Sequence, residues 1–95
     1  MISTEDRFEL NPSVVYTKLG EKEAALLHLE TRQYYSLNET GMLIWAHLEQ
    51  HHSVREMAKA LSESYDIEIE EALGHVAILL DDLKQDGLIL KSMEA

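Results

Sequence analysis

Five histidines stand in this chain, and two have a spacing suited to metal chemistry. His47 and His51 lie four apart with His52 adjoining, and an i, i+4 pair sets two imidazoles on one helix face. No HExxH pattern accompanies them, and His51 falls where a helix should end. The expectation is solvated surface histidines and no metal. Cysteine is absent, which removes thiolate ligands, thiol nucleophiles and disulfides together. There is no glycine-rich phosphate loop and no nucleophile elbow. Carboxylates are plentiful, 18 Asp and Glu against 8 Lys and Arg. In such abundance no pair stands out as acid and base. The residues predict a protein without catalytic groups and without a cofactor.

The net charge of −10 is spread along the chain. It serves solubility, or a preference for partners bearing Lys and Arg. It opposes nucleic-acid binding, which rests on Lys and Arg neutralising phosphate. No apolar run approaches the roughly 20 residues of a membrane span. The start, MISTEDRFEL, is polar and acidic rather than basic then apolar, so no secretory signal is read and the expected setting is cytoplasmic. Asn38-Glu39-Thr40 matches a glycosylation sequon, which that setting makes irrelevant. Ninety-five residues, 45% of them hydrophobic, suit one small domain. Residues 1–12 read as a weakly ordered lead-in, with Pro12 restraining Asn11 to extended geometry. Residues 13–91 form the expected single domain.

The elements that must position any site follow from local pattern. Val14 to Leu19 is β-branched and aromatic, Gly20 to Glu23 turns the chain, and Ala24 to Leu29 returns as a second strand. Glu30 to Gln33 has hairpin length, and Tyr34-Tyr35-Ser36-Leu37 makes a third strand. Asn38 then suits an N-cap. Met42, Trp45 and Leu48, widened by Leu43 and Ile44, give a core-facing helix ending near Glu49. Ser53 with Glu56 matches a capping box before a helix that buries Val54, Met57, Ala58, Leu61 and Tyr65. Glu68 is a candidate cap for the longest helix, with Ala72, Val76, Leu79, Leu80 and Leu83 as its buried stripe and Gly87 as its stop. Leu88 to Leu90 packs back as a tail or short strand.

Two features of this plan bear on binding. The third strand of a three-stranded meander has a free edge unless something covers it. On the last helix, at 100° per residue, Ile78 lies off the buried stripe on the flank shared with His75 and Asp82. An apolar residue there covers a neighbour or lines a groove.

LLHLETRQYYSLNETGMLIW, then SVREMAKALSESYDI, then DDLKQDGLI, resembles the PqqD family over roughly Asn11 to Leu90. Its most specific marks are Leu37-Asn38-Glu39-Thr40 followed by Ile44-Trp45, and Leu83 with Gly87-Leu88. The resemblance implies an α+β, winged helix-turn-helix-like fold, a three-stranded antiparallel sheet followed by three helices. It also implies a non-catalytic peptide chaperone, or recognition element, for ribosomally made and modified peptides. Such proteins bind the leader of a precursor peptide and present it to a modifying enzyme. That enzyme is a radical S-adenosylmethionine enzyme in pyrroloquinoline quinone formation or a leader peptidase in lasso-peptide maturation. The leader adds as an antiparallel strand on the third strand and lies against the third helix. Carried onto this chain, Gln33, Tyr34, Tyr35 and Ser36 supply the edge, and His75, Ile78, Leu79 and Asp82 the groove wall. Asp82 would meet a basic leader residue. Strand addition needs this pairing of edge and pockets. By alternation one of Tyr34 and Tyr35 faces the core, and sequence leaves open which. Members dedicated to pyrroloquinoline quinone carry Pro-Glu-Gly after the paired leucines, whereas Leu26-Leu27 is followed here by His28-Leu29-Glu30-Thr31. That is closer to the broader family, including the lasso-peptide proteins.

Other classes stay in view. A general protein–protein adaptor fits the same surface, and a free edge strand also allows a homodimer. A winged helix that reads DNA needs Arg, Lys, Asn or Gln on its recognition helix. The second helix offers Arg55 and Lys59, and the third is acidic over its first half. A small acidic carrier needs an exposed serine at a helix start, and the strand-rich first third speaks against it.

Overall fold

In a computed structural model that describes residues 3–92, four strands precede the helices, one more than the three expected from sequence. They are β1 (Phe8–Leu10), β2 (Val14–Gly20), β3 (Glu23–His28) and β4 (Gln33–Leu37). Three helices follow, α1 (Glu39–Glu49), α2 (Val54–Tyr65) and α3 (Ile69–Gln85), and then β5 (Ile89–Lys91). The architecture is α+β and of winged helix-turn-helix type. An antiparallel meander ordered β2-β3-β4 precedes the helices, and β1 pairs with β5 in a separate ribbon. Among the described residues no helix is long and apolar enough to cross a membrane.

Alternation sets which face of the meander is buried. Ala24, Leu26 and His28 of β3 point inward, and Leu37 of β4 does the same. Register places Leu26 opposite Tyr35 and Leu27 opposite Tyr34. A one-residue slip would turn every one of these side chains over, so the core specifies the pairing. The helices close that core with Ile44, Trp45 and Leu48 from α1, Met57, Ala58 and Leu61 from α2, and Val76, Leu80 and Leu83 from α3. Trp45 stacks on Tyr16 of β2 with ring centroids 6.3 Å apart and planes 9° apart.

Caps delimit the helices. Asn38 Oδ1 accepts from the Gly41 N–H at 2.8 Å, which lets the chain leave β4 and enter α1 with one residue between them. At α2 the capping box is complete: Ser53 Oγ accepts from the Glu56 N–H, and Glu56 Oε1 accepts from the Ser53 N–H at 2.8 Å. That backbone donor holds the Glu56 carboxyl below the usual range. Glu68 stands at the N-cap of α3, but its side chain makes no cap hydrogen bond, in line with its absence from the short side chains that cap well. Gly87, at φ +73°, ends α3. Leu88 N–H donates to Leu83 C=O and Gly87 N–H to Lys84 C=O, the paired bonds of a Schellman turn.

The N-terminal segment differs from the expected weakly ordered lead-in. Residues 1–2 lie outside the described residues. Beyond them, Phe8 is 1% exposed, and β1 pairs with β5 through Phe8 opposite Lys91 and Leu10 opposite Ile89. The Asp6 and Thr4 carbonyls accept from Val54 and Arg55, two N–H groups of the first turn of α2. The polar composition of the segment conceals one large apolar side chain and a strand partner more than 80 residues away in sequence.

The histidines differ as well. His28 is 6% exposed, because strand alternation turns it inward; its Nδ1 accepts from the Glu30 and Thr31 N–H groups. His47 and His52, both half-buried, stand with Nδ1 atoms 2.7 Å apart. His51 takes positive φ and turns the chain, so the pair is 47 with 52 rather than 47 with 51. Among the described residues no group of three or more potential ligands gathers for a metal. Burial, then the neighbouring His52, lowers the His47 pKa below the usual imidazole value.

Phe8→Ala is expected to destabilise the protein by about 3–5 kcal/mol, the cost of emptying a fully packed aromatic site. Urea unfolding measures this, and a loss below about 1 kcal/mol would mean that β1 is peripheral. The lowered His47 pKa makes stability depend on pH. The unfolded chain takes up that proton first as pH falls, so the contribution is complete above the ordinary histidine range and declines as pH drops through it. Urea midpoints should fall between about pH 8 and about pH 5.5, and less steeply in His47→Gln.

Candidate peptide-binding groove

β4 is bonded to β3 along one edge, and among the described residues no strand covers the other. At about 3.4 Å per residue its five residues offer about 17 Å of open main chain. Alternate N–H and C=O groups on such an edge point away from the sheet. The alternation left open by sequence is resolved: Tyr35 is half-buried and turned towards α3, whereas Tyr34 is 74% exposed on the outer face.

Tyr35 brings the strand close to the carboxylates at the end of α3. Burial, together with the Asp82 and Asp86 carboxylates, pushes its hydroxyl above the ordinary tyrosine range. The side chain thus lies within the field of the C-terminal half of α3. Between strand and helix is a hollow of about 370 Å³ lined by Lys22, Glu23, Tyr35, Ser36, Leu37, Asn38, Gly41 and Leu79. It reaches from the β2–β3 turn, along the C-terminal half of β4, to the first turn of α1. Gly41 permits that close approach, because a Cβ there would come within 2.9 Å of Leu37 Cδ2. At the other end of β4 a smaller hollow of about 20 Å³ is lined by His28, Thr31, Gln33, Tyr34, Tyr35, Asp86 and Leu88.

The eight residues singled out from sequence therefore fall into groups. Gln33, Tyr34, Tyr35 and Ser36 all lie on β4. Tyr35, Ser36 and Leu79 share the large hollow, and Asp82 joins them through its effect on Tyr35. Ile78 lines neither hollow and stands 67% exposed on α3. His75 is set apart, paired with Glu71 at 3.6 Å and lining a third hollow with Thr40 and Tyr65. Leu79 is half-buried and so serves the core and the groove together. Sequence reasoning missed Asp86, Lys22, Glu23, Asn38 and Gly41. Asp86 was within reach, one turn beyond Asp82 on the same flank. Lys22 and Glu23 join only through the meander's three-dimensional form.

The arrangement of an open strand edge, a flanking helix and a hollow between them suits extended polypeptide. The chain matches the family model of Coenzyme PQQ synthesis protein D (PqqD) over residues 23–89. This chain belongs to the PqqD family. No curated protein sequence matches it. Two solved structures share its fold. TbiB1 in complex with the TbiA(beta) leader peptide is 25% identical, with a TM-score of 0.79 and coverage of 92% of this chain and 98% of that one. A lasso peptide synthetase B1 complexed with the leader peptide is 30% identical, with a TM-score of 0.78 and coverage of 87% and 96%. In a PqqD-family chain, β4 and α3 are thus the elements whose facing surfaces call for a test.

Asp82→Asn should lower the Tyr35 titration midpoint, since removing a nearby negative charge eases formation of tyrosinate. The ring ¹³Cζ resonance of Tyr35 followed through alkaline pH reports the change. An unaltered midpoint would separate Tyr35 from α3.

Proposed function

We propose that this protein is a non-catalytic leader-peptide-binding partner in the maturation of a ribosomally made peptide. The observation that carries this reading is the uncovered edge of β4 facing a hollow shared with α3, in a chain whose structural relatives were solved with leader peptides. The leader adds as an antiparallel strand on Gln33, Tyr34, Tyr35 and Ser36. Main-chain hydrogen bonds then supply sequence-independent affinity, and alternate side chains enter the hollows and supply selection.

The groove wall in this reading is His75, Ile78, Leu79 and Asp82, with Asp86 added by its position beside Tyr35. Leu79 offers an apolar contact in the hollow beside β4. Asp82 and Asp86 favour a Lys or Arg near the Gln33 end of the strand. The recognition unit comprises residues 13–91 together with β1, whose pairing to β5 braces the end of α3. Holding a leader on a small folded surface raises its effective concentration at an enzyme that binds the same assembly. The enzyme served is a radical S-adenosylmethionine enzyme or a leader peptidase, and the setting is cytoplasmic, where precursor peptides are made.

A fluorescein-labelled synthetic leader of the precursor encoded beside this gene should bind saturably by anisotropy, and a scrambled leader should not. Ile78→Asp is expected to weaken binding at least about tenfold, with the urea midpoint of the free protein unchanged because the site is exposed. Unchanged affinity in that variant would remove the α3 flank from the site.

A further inference from the structure

Apart from His75, the residues of the third hollow are left unused by strand addition on β4. It measures about 220 Å³ and is lined by Thr40, Leu61, Tyr65, Ile67, Glu71 and His75. That is below the about 300–1,000 Å³ of small-molecule sites, so it suits one side chain of a larger ligand. Its floor is apolar, with Leu61 buried and Ile67 half-buried. Its rim is acidic: Glu71 is largely exposed, and the Tyr65 hydroxyl donates to Glu39 Oε1 at 3.1 Å. No Lys or Arg stands between Lys59 and Lys84, whereas Glu63, Asp66, Glu68, Glu70 and Glu71 do.

Position ties this hollow to the groove. Gly41 and Leu79 line the hollow beside β4. Thr40, the preceding residue, and His75, one turn earlier on α3, line this one. A chain antiparallel to β4 runs from the Leu37 end towards Gln33. Residues N-terminal to its paired segment therefore leave the sheet at Leu37, beside Gly41 and Leu79, where the third hollow lies one helical turn away.

We propose that this hollow takes the part of the bound peptide immediately N-terminal to its strand-adding segment. An apolar side chain packs against Leu61, Tyr65 and Ile67, and a Lys or Arg of the same segment meets Glu71. The inference rests on strand addition at β4 and extends it from an edge to a two-part site. Charge complementarity selects this occupant: a basic peptide gains from an acidic rim, whereas a second copy of a chain of net charge −10 would bring acid against acid.

The test uses two labelled synthetic peptides, the full leader and a version starting at the strand-adding segment, titrated against the wild type and Glu71→Lys. The full leader should bind the wild type about tenfold more tightly than the short one. Glu71→Lys should weaken the full leader about three- to tenfold and leave the short one unchanged. Equal affinity of the two lengths for the wild type, with Ile78→Asp still weakening both, overturns this inference and spares strand addition. Absence of binding by either length overturns both. Equal loss for both lengths in Glu71→Lys marks a bulk charge effect and overturns the local contact. A peptide-free dimer by sedimentation that Glu71→Lys dissolves assigns the hollow to a second copy instead.

Discussion

A strand bonded on one side leaves half of its main-chain polar groups directed outward, and they require water or another chain. The rest of this fold serves to hold β4 in that half-paired state. Its inward residues are committed to the core: Leu37 is buried, and Tyr35 packs beneath α3. Its register to β3 is set by the same alternation, so the strand cannot slide to hide its edge. Asn38 caps α1 directly after Leu37. The edge is therefore preformed, so a strand added there as proposed would find it already ordered.

Distant parts of the chain fix the other wall. α3 is held at its C-terminal end by the Schellman turn through Gly87, which delivers Leu88 and Ile89 to the core and β5 to β1. Asn11 adds a tie, its side-chain amide donating to the Gly87 carbonyl at 2.7 Å. The buried His28 imidazole lies against the same glycine, 3.5 Å from where a Cβ would stand. The segment before the meander and the segment after α3 thus meet at one corner, next to the smaller hollow at the start of β4. Slackening there would move Asp82 and Asp86 relative to Tyr35, and with them the charge that the open edge presents.

Local signals made most of the fold legible. The capping box at Ser53 and Glu56, the Asn38 cap and the Gly87 stop are short-range chemistry, and each sits where its residues imply. The apolar stripe of α2 is buried at Val54, Met57, Ala58 and Leu61 as its spacing requires, but Tyr65, at the last residue of the helix, stays exposed. What sequence concealed depends on long-range pairing. Phe8 stands between polar neighbours, and no periodicity marks it as core; the pairing of β1 with β5 and its packing against α1 make it so. The choice between Tyr34 and Tyr35 turned on register, a property of three strands rather than one. His47 and His51 were read at helical spacing, but positive φ at His51 folds the chain back and brings residue 52 in place of 51. Of the groove expected from sequence, Tyr35, Ser36 and Leu79 meet at one hollow, whereas Ile78 and His75 do not reach it. The floor of that hollow was not legible, because Lys22, Asn38 and Gly41 reach it from turns whose placement only the closed fold decides.

The meander has two outer strands, and their chemistry differs. β2 carries Lys18 and a register irregularity between Lys18 and Gly20. A charge and a distortion are devices that discourage a further strand from adding. β4 reads Gln33-Tyr34-Tyr35-Ser36-Leu37, with no charge, no proline and an unbroken register to β3. Its protection comes from its neighbours, since Asp82 and Asp86 lie close to Tyr35 on the helix opposite. Such a fence is selective in a way that a bulge is not. It repels another copy of this acidic chain and attracts a strand bearing Lys or Arg. The edge left geometrically open is thus the one guarded by charge, and the asymmetry favours β4 over β2 for the strand addition proposed above.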